Sequence, residues 1–279
     1  MLDRRTFLAS LALSRALPFP ASAADLTQAL GALEKRARGR LGVAAWDLET
    51  GRRFAWRGRE RFRMCSTFKL LLAARTLSRV DEGRERLDRV IPFGREILLG
   101  NSPVTSAHVG DGLSVAELCA AAITVSDNGA ANTLLAALGG PEAMTAYWRS
   151  IGDKITRLDD IELKLNIPDG EHNTTTPFAM LSNLKTLLLG DALSPASRAR
   201  LLGWMRASTT GVNRLRAGLP AAWQWADKTG TSAERYGMVN DIGIATPPGR
   251  SPILIAAYTA HANEKVLADA GAIVARAFA

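Results

Sequence analysis

The sequence predicts an α+β fold (an α/β sandwich) whose antiparallel sheet of about five strands is built from both ends of the chain. Strand-like segments lie near the start, at residues 41–57, and near the end, at residues 228–260. The apolar runs between them are longer and have helical spacing. We therefore expect helices that flank the sheet and an all-helical region inserted into it.

The N-terminal segment of the predicted sheet contains a helix and a hairpin. The stretch DLTQALGALEKRARG has apolar residues at helical spacing. The stretch LGVAAWDLETGRRFAWR alternates between apolar and polar residues and is interrupted at Glu49-Thr50-Gly51. Such an interruption is typical of the turn in a β-hairpin.

The C-terminal segment supplies three more strands and a helix. The strands are predicted by KTGTS, GMVNDIGIATP and SPILIAAYTA, and the Pro-Pro-Gly-Arg turn at residues 247–250 joins the last two. The stretch NEKVLADAGAIVARAFA predicts a terminal amphipathic helix.

The middle of the chain predicts the helical domain. It contains the apolar runs VAELCAAAITV and GAANTLLAALGG. We therefore predict a sheet domain formed by residues 24–63 and 207–279 and a helical domain over residues 64–206.

Residues 1–23 have the features of an export signal. Arg4 and Arg5 precede an apolar stretch, and Ala21-Ser22-Ala23 is typical of a cleavage site. The stretch DRRTFLA resembles a twin-arginine signal. The alternative is an ordinary N-terminal helix. We predict export to the periplasm or the medium, by the twin-arginine route, with no membrane anchor.

Composition argues against a disordered chain, an integral membrane protein and a nucleic-acid-binding protein. The chain has 279 residues, 47% of them hydrophobic, and a net charge of +8. Its basic residues are scattered and carry no nucleic-acid motif, so a basic surface or an electropositive cleft for an anion explains them. The three histidines have no metal-ligand spacing, and we predict no metal or cofactor. Cys65 and Cys119 are expected to be buried thiols.

The stretch MCSTFKLLLAARTL places a serine and a lysine on one face of a buried helix. Ser66 and Lys69 are three residues apart and can meet. Burial lowers the pKa of a lysine, and an amine of low pKa can take the proton of a neighbouring hydroxyl. The alternative is a surface helix whose lysine extends into water.

Three further motifs follow along the chain. Ser126-Asp127-Asn128 interrupts a helical pattern and predicts a polar turn or a helix cap. Glu162 and Asn166 lie four residues apart in a turn-rich segment, where a carboxylate and an amide could hold a water. Lys228-Thr229-Gly230 lies on a predicted strand, where a glycine often indicates the close approach of a ligand.

The order and spacing of these four motifs resemble those of the class A serine β-lactamases, for which the S-x-x-K, S-D-N and K-T-G set is known. The resemblance covers nearly the whole chain after residue 23. It implies hydrolysis of the β-lactam ring through an acyl-enzyme on serine, in an active site between the sheet domain and the helical domain. It also implies a monomer that binds a small-molecule substrate.

The resemblance also implies a role for each motif residue. Catalysis falls to Ser66 as nucleophile, Lys69 as its activator, Ser126 as proton relay and Glu162 as activator of the deacylating water. Whether Lys69 or Glu162 takes the proton of Ser66 is disputed in the family. Substrate binding falls to Asn128, Asn166, Arg214, Lys228, Thr229 and Thr231.

The chain departs from the family pattern at three places. Asn101 replaces the usual aromatic residue before SPVT, and the loop after Asn166 is shorter by about two residues. Asp160 and Asn173 stand where the family has an ion pair, and we predict either a hydrogen bond between them or two water-facing side chains. Ser232 stands where a partner cysteine for Cys65 would be, so that disulfide is not expected.

Two other activities share part of this pattern. A penicillin-binding D,D-peptidase has the first three motifs, but it lacks the pair formed by Glu162 and Asn166. A non-catalytic β-lactam sensor would keep the acyl group and would carry a signalling domain. The range of β-lactams accepted is not predicted by the sequence.

Overall fold

The computed structural model of the chain describes residues 23–278. The α-helices are α1 (Ala23–Ala37), α2 (Phe68–Asp81), α3 (Val115–Thr124), α4 (Asn128–Ala137), α5 (Gly140–Ser150), α6 (Pro177–Leu188), α7 (Pro195–Arg206), α8 (Leu215–Gly218) and α9 (Glu264–Phe278). The strands are β1 (Arg40–Asp47), β2 (Arg53–Trp56), β3 (Phe62–Arg63), β4 (Val90–Ile91), β5 (Leu113–Ser114), β6 (Thr174–Thr175), β7 (Gln224–Thr231), β8 (Val239–Thr246) and β9 (Ile253–Ala260).

Both ends of the chain build one antiparallel sheet of five strands, in the order β2-β1-β9-β8-β7. The junction between the two ends is the pairing of β1 with β9, which runs from Arg40 opposite Ala260 to Asp47 opposite Ile253. The predicted α+β fold with about five strands is therefore confirmed. The pairs β3–β6 and β4–β5 are short ribbons that the sequence analysis did not predict.

Helices cover both faces of the sheet, so two hydrophobic cores form. One core joins the sheet to α1, α8 and α9, through residues such as Leu30, Val43 and Leu267. The other joins the opposite face to the helical middle of the chain, through residues such as Phe68 and Tyr258. Strands covered on both faces are apolar along their whole length, which is why β9 shows no alternation.

Helix α2 lies at the centre of the helical region and is buried almost all round. It contacts α3, α4, α5 and α7. A 3₁₀ turn, Cys65–Thr67, precedes it and carries Ser66. The predicted buried helix is therefore confirmed, although its α-helical part begins after the serine. The predicted domain boundaries at residues 64 and 206 stay a prediction.

The two cysteines are free and buried, as predicted. Burial raises the pKa of each thiol to about 12, so both remain protonated at neutral pH. The predicted export signal lies outside the described residues except for its last residue, Ala23. Within residues 23–278, no helix is long and apolar enough to cross a membrane.

The loop of residues 159–173 is closed by Asn173. This residue is buried and adopts a φ of 55°, in the left-handed region that asparagine tolerates. Its side-chain Oδ1 accepts hydrogen bonds from the amides of Asp159 and Asp160, at 2.8 and 3.0 Å. Its Nδ2 donates to Asp160 Oδ2 at 2.9 Å. Of the two predicted arrangements, the hydrogen bond is therefore correct, and the water-facing one is wrong.

We predict that Asn173→Asp destabilises the protein at neutral pH. It places two carboxylates together where the Nδ2–Oδ2 distance is now 2.9 Å. Burial and the charge of Asp160 raise the pKa of the new carboxyl in the folded state, so the loss grows as pH rises through that pKa. A loss of about 2 kcal/mol lowers Tm by roughly 4–8 °C at this chain length. Melting curves at pH 7.5 and pH 5 check this, and the difference from wild type should be smaller at pH 5.

Asp160→Asn is the matched control. An amide at position 160 can still bond to the amide of Asn173, and the ion pair that it loses, with Lys164, involves a side chain that is 73% exposed. Its Tm should stay close to that of wild type at both pH values. An Asn173→Asp variant that melts with wild type at pH 7.5 would show that other contacts hold the loop closed.

Candidate active site

The position of Ser66 is fixed by strand β7, which runs directly against the 3₁₀ turn. A Cβ atom on Gly230 would lie 2.7 Å from the carbonyl oxygen of Met64 and 3.2 Å from the amide nitrogen of Ser66. A side chain at this position would not fit without a shift of the backbone. The close approach predicted at this glycine is therefore made by the backbone that carries the serine, and the approach of a ligand stays a prediction.

Two further constraints hold this turn. Cys65 has a φ of 46°, a left-handed conformation that costs energy in a residue other than glycine and that is often found next to active sites. The side-chain amide of Asn240, on β8, donates to the carbonyl oxygens of Arg63 and Met64 at 2.9 and 3.1 Å. The sequence analysis missed Asn240, because only the sheet pairing brings it there.

The hydroxyl of Ser66 contacts Glu162 directly. Ser66 Oγ donates to Glu162 Oε1 at 2.8 Å, and Lys69 Nζ lies 3.2 Å from the same oxygen. Within the described chain, the Ser66 hydroxyl makes no hydrogen bond to Lys69. The serine and the lysine therefore meet through the carboxylate, and not directly as the spacing on a helix suggested.

Ser126 lies between two buried lysines. Lys69 Nζ donates to the backbone oxygen of Ser126 at 2.8 Å and to its Oγ at 3.3 Å, and Lys228 Nζ donates to the same Oγ at 3.1 Å. Both lysine side chains are fully buried. Burial lowers the pKa of Lys69, and burial together with the charge of Lys69 lowers the pKa of Lys228 well below its usual value.

The Ser-Asp-Asn motif lies on the predicted turn, between α3 and α4. Ser126 has a φ of 59°, and Asp127 caps α4 by accepting from the amide of Ala130 at 2.8 Å. The predicted helix cap is therefore confirmed at Asp127, and the predicted roles of Ser126 and Asn128 stay a prediction. Asn128 Oδ1 accepts from Lys69 Nζ at 2.6 Å, so its amide NH2 remains for a ligand.

Glu162 is held by two asparagines. Asn166 Nδ2 donates to Glu162 Oε2 at 2.8 Å, as the predicted pair requires. Asn132 exchanges two hydrogen bonds with the Glu162 backbone, at 2.9 and 3.0 Å. The sequence analysis assigned Asn132 no role, although its position four residues after Asn128 on α4 places both on one helix face. The peptide bond after Glu162 is cis.

The opposite wall is strand β7, with Arg214 behind it. Arg214 is buried, and its guanidinium donates to the backbone oxygens of Gly230 and Asn240 and to Thr231 Oγ1, at 2.9, 2.8 and 2.8 Å. It also pairs with Glu264, at 2.9–3.0 Å. These contacts commit the donors of Arg214, so the arginine meets a ligand through the hydroxyl of Thr231.

The site is an open cleft of about 370 Å³. Eight of the ten residues predicted for catalysis and binding line it: Ser66, Ser126, Asn128, Glu162, Asn166, Arg214, Thr229 and Thr231. Asn101, Leu163 and Thr210 complete the lining. Lys69 and Lys228 lie directly beneath it. Asn101 folds back and donates to the carbonyl oxygens of Val125 and Ser126, so it offers no stacking surface. Between residues 23 and 278, no cluster of His, Cys, Asp and Glu is arranged to hold a metal.

Comparison with known proteins identifies the family. Residues 25–278 match the family model described as the β-lactamase enzyme family. The chain is 42% identical to β-lactamase CTX-M-8 of Citrobacter amalonaticus over 92% of this chain and 90% of that one. It is 44% identical to the carbapenem-hydrolysing β-lactamase KPC of Klebsiella oxytoca, over 83% and 80%.

Solved structures agree with the sequence relatives. The ancestral class A β-lactamase GNCA superposes with a TM-score of 0.88 and 57% identity, over 91% of this chain and all of that one. Both the fold and the sequence are shared along nearly the full described length. The chain therefore belongs to the β-lactamase enzyme family, in class A.

Proposed function

We propose that this protein hydrolyses β-lactam antibiotics through an acyl-enzyme on Ser66, and that a water activated by Glu162 releases the product. The observation that carries the proposal is the convergence of Ser66, Glu162, Lys69 and Ser126 on one cleft, with Ser66 Oγ 2.8 Å from Glu162 Oε1. A nucleophile in contact with a base, and a base that is itself oriented, is the arrangement that covalent catalysis requires.

Acylation begins when Ser66 Oγ attacks the β-lactam carbonyl carbon. Its proton passes to Glu162 Oε1, the acceptor that it already contacts. Lys69, 3.2 Å away, stabilises the carboxylate as an ion pair. The amides of Ser66 and Thr231 would bind the developing oxyanion, because Ser66 stands where a helix begins and its N–H is free of the helical ladder. The direct contact favours Glu162 over Lys69 as the base.

Ring opening breaks the carbon–nitrogen bond, and the leaving nitrogen needs a proton. Ser126 Oγ can supply it and take another from a neighbouring lysine, since it lies 3.3 Å from Lys69 Nζ and 3.1 Å from Lys228 Nζ. The lowered pKa of both lysines supports this relay, because an ammonium of low pKa gives up a proton more readily.

Deacylation needs a water beside the ester carbonyl. Glu162 Oε2 is oriented by Asn166 Nδ2, and Asn166 Oδ1 is buried and accepts no hydrogen bond from any residue in the range 23–278. That oxygen is available to a water that donates one O–H to Asn166 and the other to Glu162. Before this step, Glu162 passes the proton taken from Ser66 to Lys69, 3.2 Å away, which replaces the proton given to the leaving nitrogen through Ser126. The water then attacks the acyl carbon while Glu162 takes its proton, and Glu162 returns that proton to Ser66 Oγ as the ester bond breaks.

Recognition of the substrate depends on its anionic carboxylate. The hydroxyls of Thr229 and Thr231 face the cleft, and the charges of Lys228 and Arg214 lie behind them. Because Arg214 donates to Thr231 Oγ1, the hydroxyl proton of Thr231 is left to point at the carboxylate. On the opposite side, the free NH2 of Asn128 suits a side-chain amide carbonyl of the substrate.

The rival activities lack this support. A D,D-peptidase and a sensor lack the water-activating pair formed by Glu162 and Asn166, whereas Glu162 is here held by both Asn166 and Asn132. We also propose, from the sequence, that the protein is exported to the periplasm or the medium by the twin-arginine route and that it is a monomer.

We predict that Glu162→Ala acylates more slowly, with Lys69 as the remaining base, and does not turn over. General-base activation contributes about 10²–10⁴-fold, so deacylation should fall by at least that lower factor. Intact-mass spectrometry after exposure to a penicillin should show a persistent adduct on Ser66. Glu171→Ala, on the same loop but 65% exposed, is the matched control and should turn over as wild type does. Normal turnover by Glu162→Ala would remove water activation from this residue.

We predict that Arg214→Ala raises KM for anionic β-lactams more than it lowers kcat. Its charge and its bond to Thr231 act on the bound carboxylate in both ground state and transition state. The rise should be about tenfold, the scale of one hydrogen bond to a charged group. Arg206→Ala, at an exposed position, is the control. Adding Thr231→Ala should raise KM little further, and a full additional rise would mean that the two residues act independently.

We predict that replacing Arg4 and Arg5 by lysine retains the enzyme in the cytoplasm. The paired arginines of DRRTFLA are the feature that indicates the twin-arginine route. Fractionation followed by immunoblotting measures the distribution, with a cytoplasmic marker as control. A variant exported like wild type would indicate the general secretory route instead.

A further inference from the structure

Two buried aspartates lie on the substrate-binding strand β7 and on its neighbour β8, outside the machinery described above. Asp241 on β8 stands opposite Thr229 on β7, and Asp227 precedes Thr229 by two residues. In an antiparallel pair these positions point to the same face of the sheet. Asp227 is 4% exposed and Asp241 is fully buried.

Asp227 and Asp241 are diagonal neighbours on one face of the paired strands, which brings their carboxyl groups close together. Asp227 Oδ2 and Asp241 Oδ1 are buried, and neither meets an N–H or O–H donor from residues 23–278. Two ionised carboxylates in contact would repel in a medium of low dielectric constant. One proton on Asp241 Oδ1 would give each oxygen its missing partner and turn repulsion into a short O–H···O⁻ bond.

The surroundings are consistent with one retained proton. Burial raises the pKa of both groups, and that of Asp241 most, where the charge of Asp227 adds to it. The cations Lys228 and Arg214 oppose this rise at Asp227. Arg206 and Arg216 share a cleft with Asp227, and Tyr258 on β9 interacts with Asp241. If both aspartates were ionised, their two negative charges would offset the positive charges of Lys228 and Arg214. If one of them is protonated, a net positive charge remains to attract an anionic substrate.

The pair also holds the loop of residues 207–214 against the sheet. Asp241 Oδ2 accepts from the amide of Leu215 at 3.1 Å, just after the loop. Ser208, near the start of the loop, lines the same cleft as Asp227. In between, a Cβ on Gly211 would lie 2.0 Å from Asp227 Oδ2, so the loop backbone rests on this carboxyl group.

That loop supplies the partners of both hydroxyls that face the cleft. Thr210 Oγ1 lies 2.6 Å from Thr229 Oγ1, and Arg214 Nη2 donates to Thr231 Oγ1 at 2.8 Å. A shift of the loop would turn both threonine hydroxyls away from the substrate carboxylate, while Ser66 and Glu162 on other elements would stay in place.

We propose that Asp227 and Asp241 are positioning residues that share one proton and fix the 207–214 loop, so that Thr210 and Arg214 orient the hydroxyls of Thr229 and Thr231 for the substrate carboxylate. The proposal rests on the proposed function, and it adds a specific requirement: an acid–carboxylate pair, or its amide equivalent, at these two positions.

The first test compares two substitutions at one position. Asp241→Ala removes the bond to Leu215 and leaves Asp227 alone, and it should raise KM for a penicillin by about tenfold or more while kcat changes by less than about threefold. Asp241→Asn can donate from its NH2 to Asp227 and accept from Leu215, so it should rescue KM to within about threefold of wild type. A KM unchanged in Asp241→Ala would overturn the proposal.

A second pair of variants tests the proposal even if Asp241→Ala fails to fold. Gly211→Ala puts a methyl group against Asp227 Oδ2 and displaces the loop, so it should also raise KM more than it lowers kcat. Gly203→Ala, on α7, has no heavy atom within 4 Å of the added Cβ and is the matched control. Equal KM values in these two variants would contradict the positioning role.

Infrared spectroscopy tests the shared proton without substrate. At neutral pH, wild type should show a protonated carboxyl C=O band that is absent from both Asp241→Asn and Asp227→Asn. A wild-type spectrum without that band would overturn the shared proton whatever the kinetics show. If wild type itself fails to hydrolyse any β-lactam, the proposed function fails, and the infrared result still decides whether the pair holds a proton.

Discussion

The close approach of β7 to the turn before α2 is the constraint on which the site depends. The backbone at Gly230 comes so near to Met64 and Ser66 that a single added carbon would meet the Met64 carbonyl at 2.7 Å. This contact joins the sheet, built from both ends of the chain, to the helical region inserted between them. It also brings the amides of Ser66 and Thr231 to one side of the cleft, where an oxyanion would form.

Around this contact, each reactive group is oriented by a neighbour that does not itself react. Glu162 is held by Asn132 and Asn166, and the loop that carries it is closed by Asn173. Amide side chains suit this work because they donate and accept in fixed directions and carry no charge into the interior. The groups that transfer protons are therefore oriented by uncharged hydrogen-bond partners. The charged side chains of the site remain available to interact with the substrate.

The sequence predicted the fold and the ten candidate residues because both depend on local order: apolar spacing for the elements, and motif spacing for the site. It failed where a side chain's partner lies far along the chain. The commitment of Arg214 to two backbone oxygens, and of Asn240 to the residues before Ser66, follows only from sheet pairing. The close approach at Gly230 was predicted, but the sequence context of a glycine does not distinguish a ligand from backbone, and the partner that the structure shows is the backbone before Ser66.

The burial of Lys69 and Lys228 has a consequence for the heat stability of the protein. Two buried amines that share one hydroxyl partner are costly to keep charged, and Glu162 and Asp227 offset only part of that cost. The fold therefore stores unfavourable electrostatic energy in its ligand-free state. An anion that enters the cleft relieves it, and because it binds the folded chain and not the unfolded one, it raises the melting temperature with its own concentration. The same two cations that make the unoccupied enzyme less stable thus make its stability respond to its substrate.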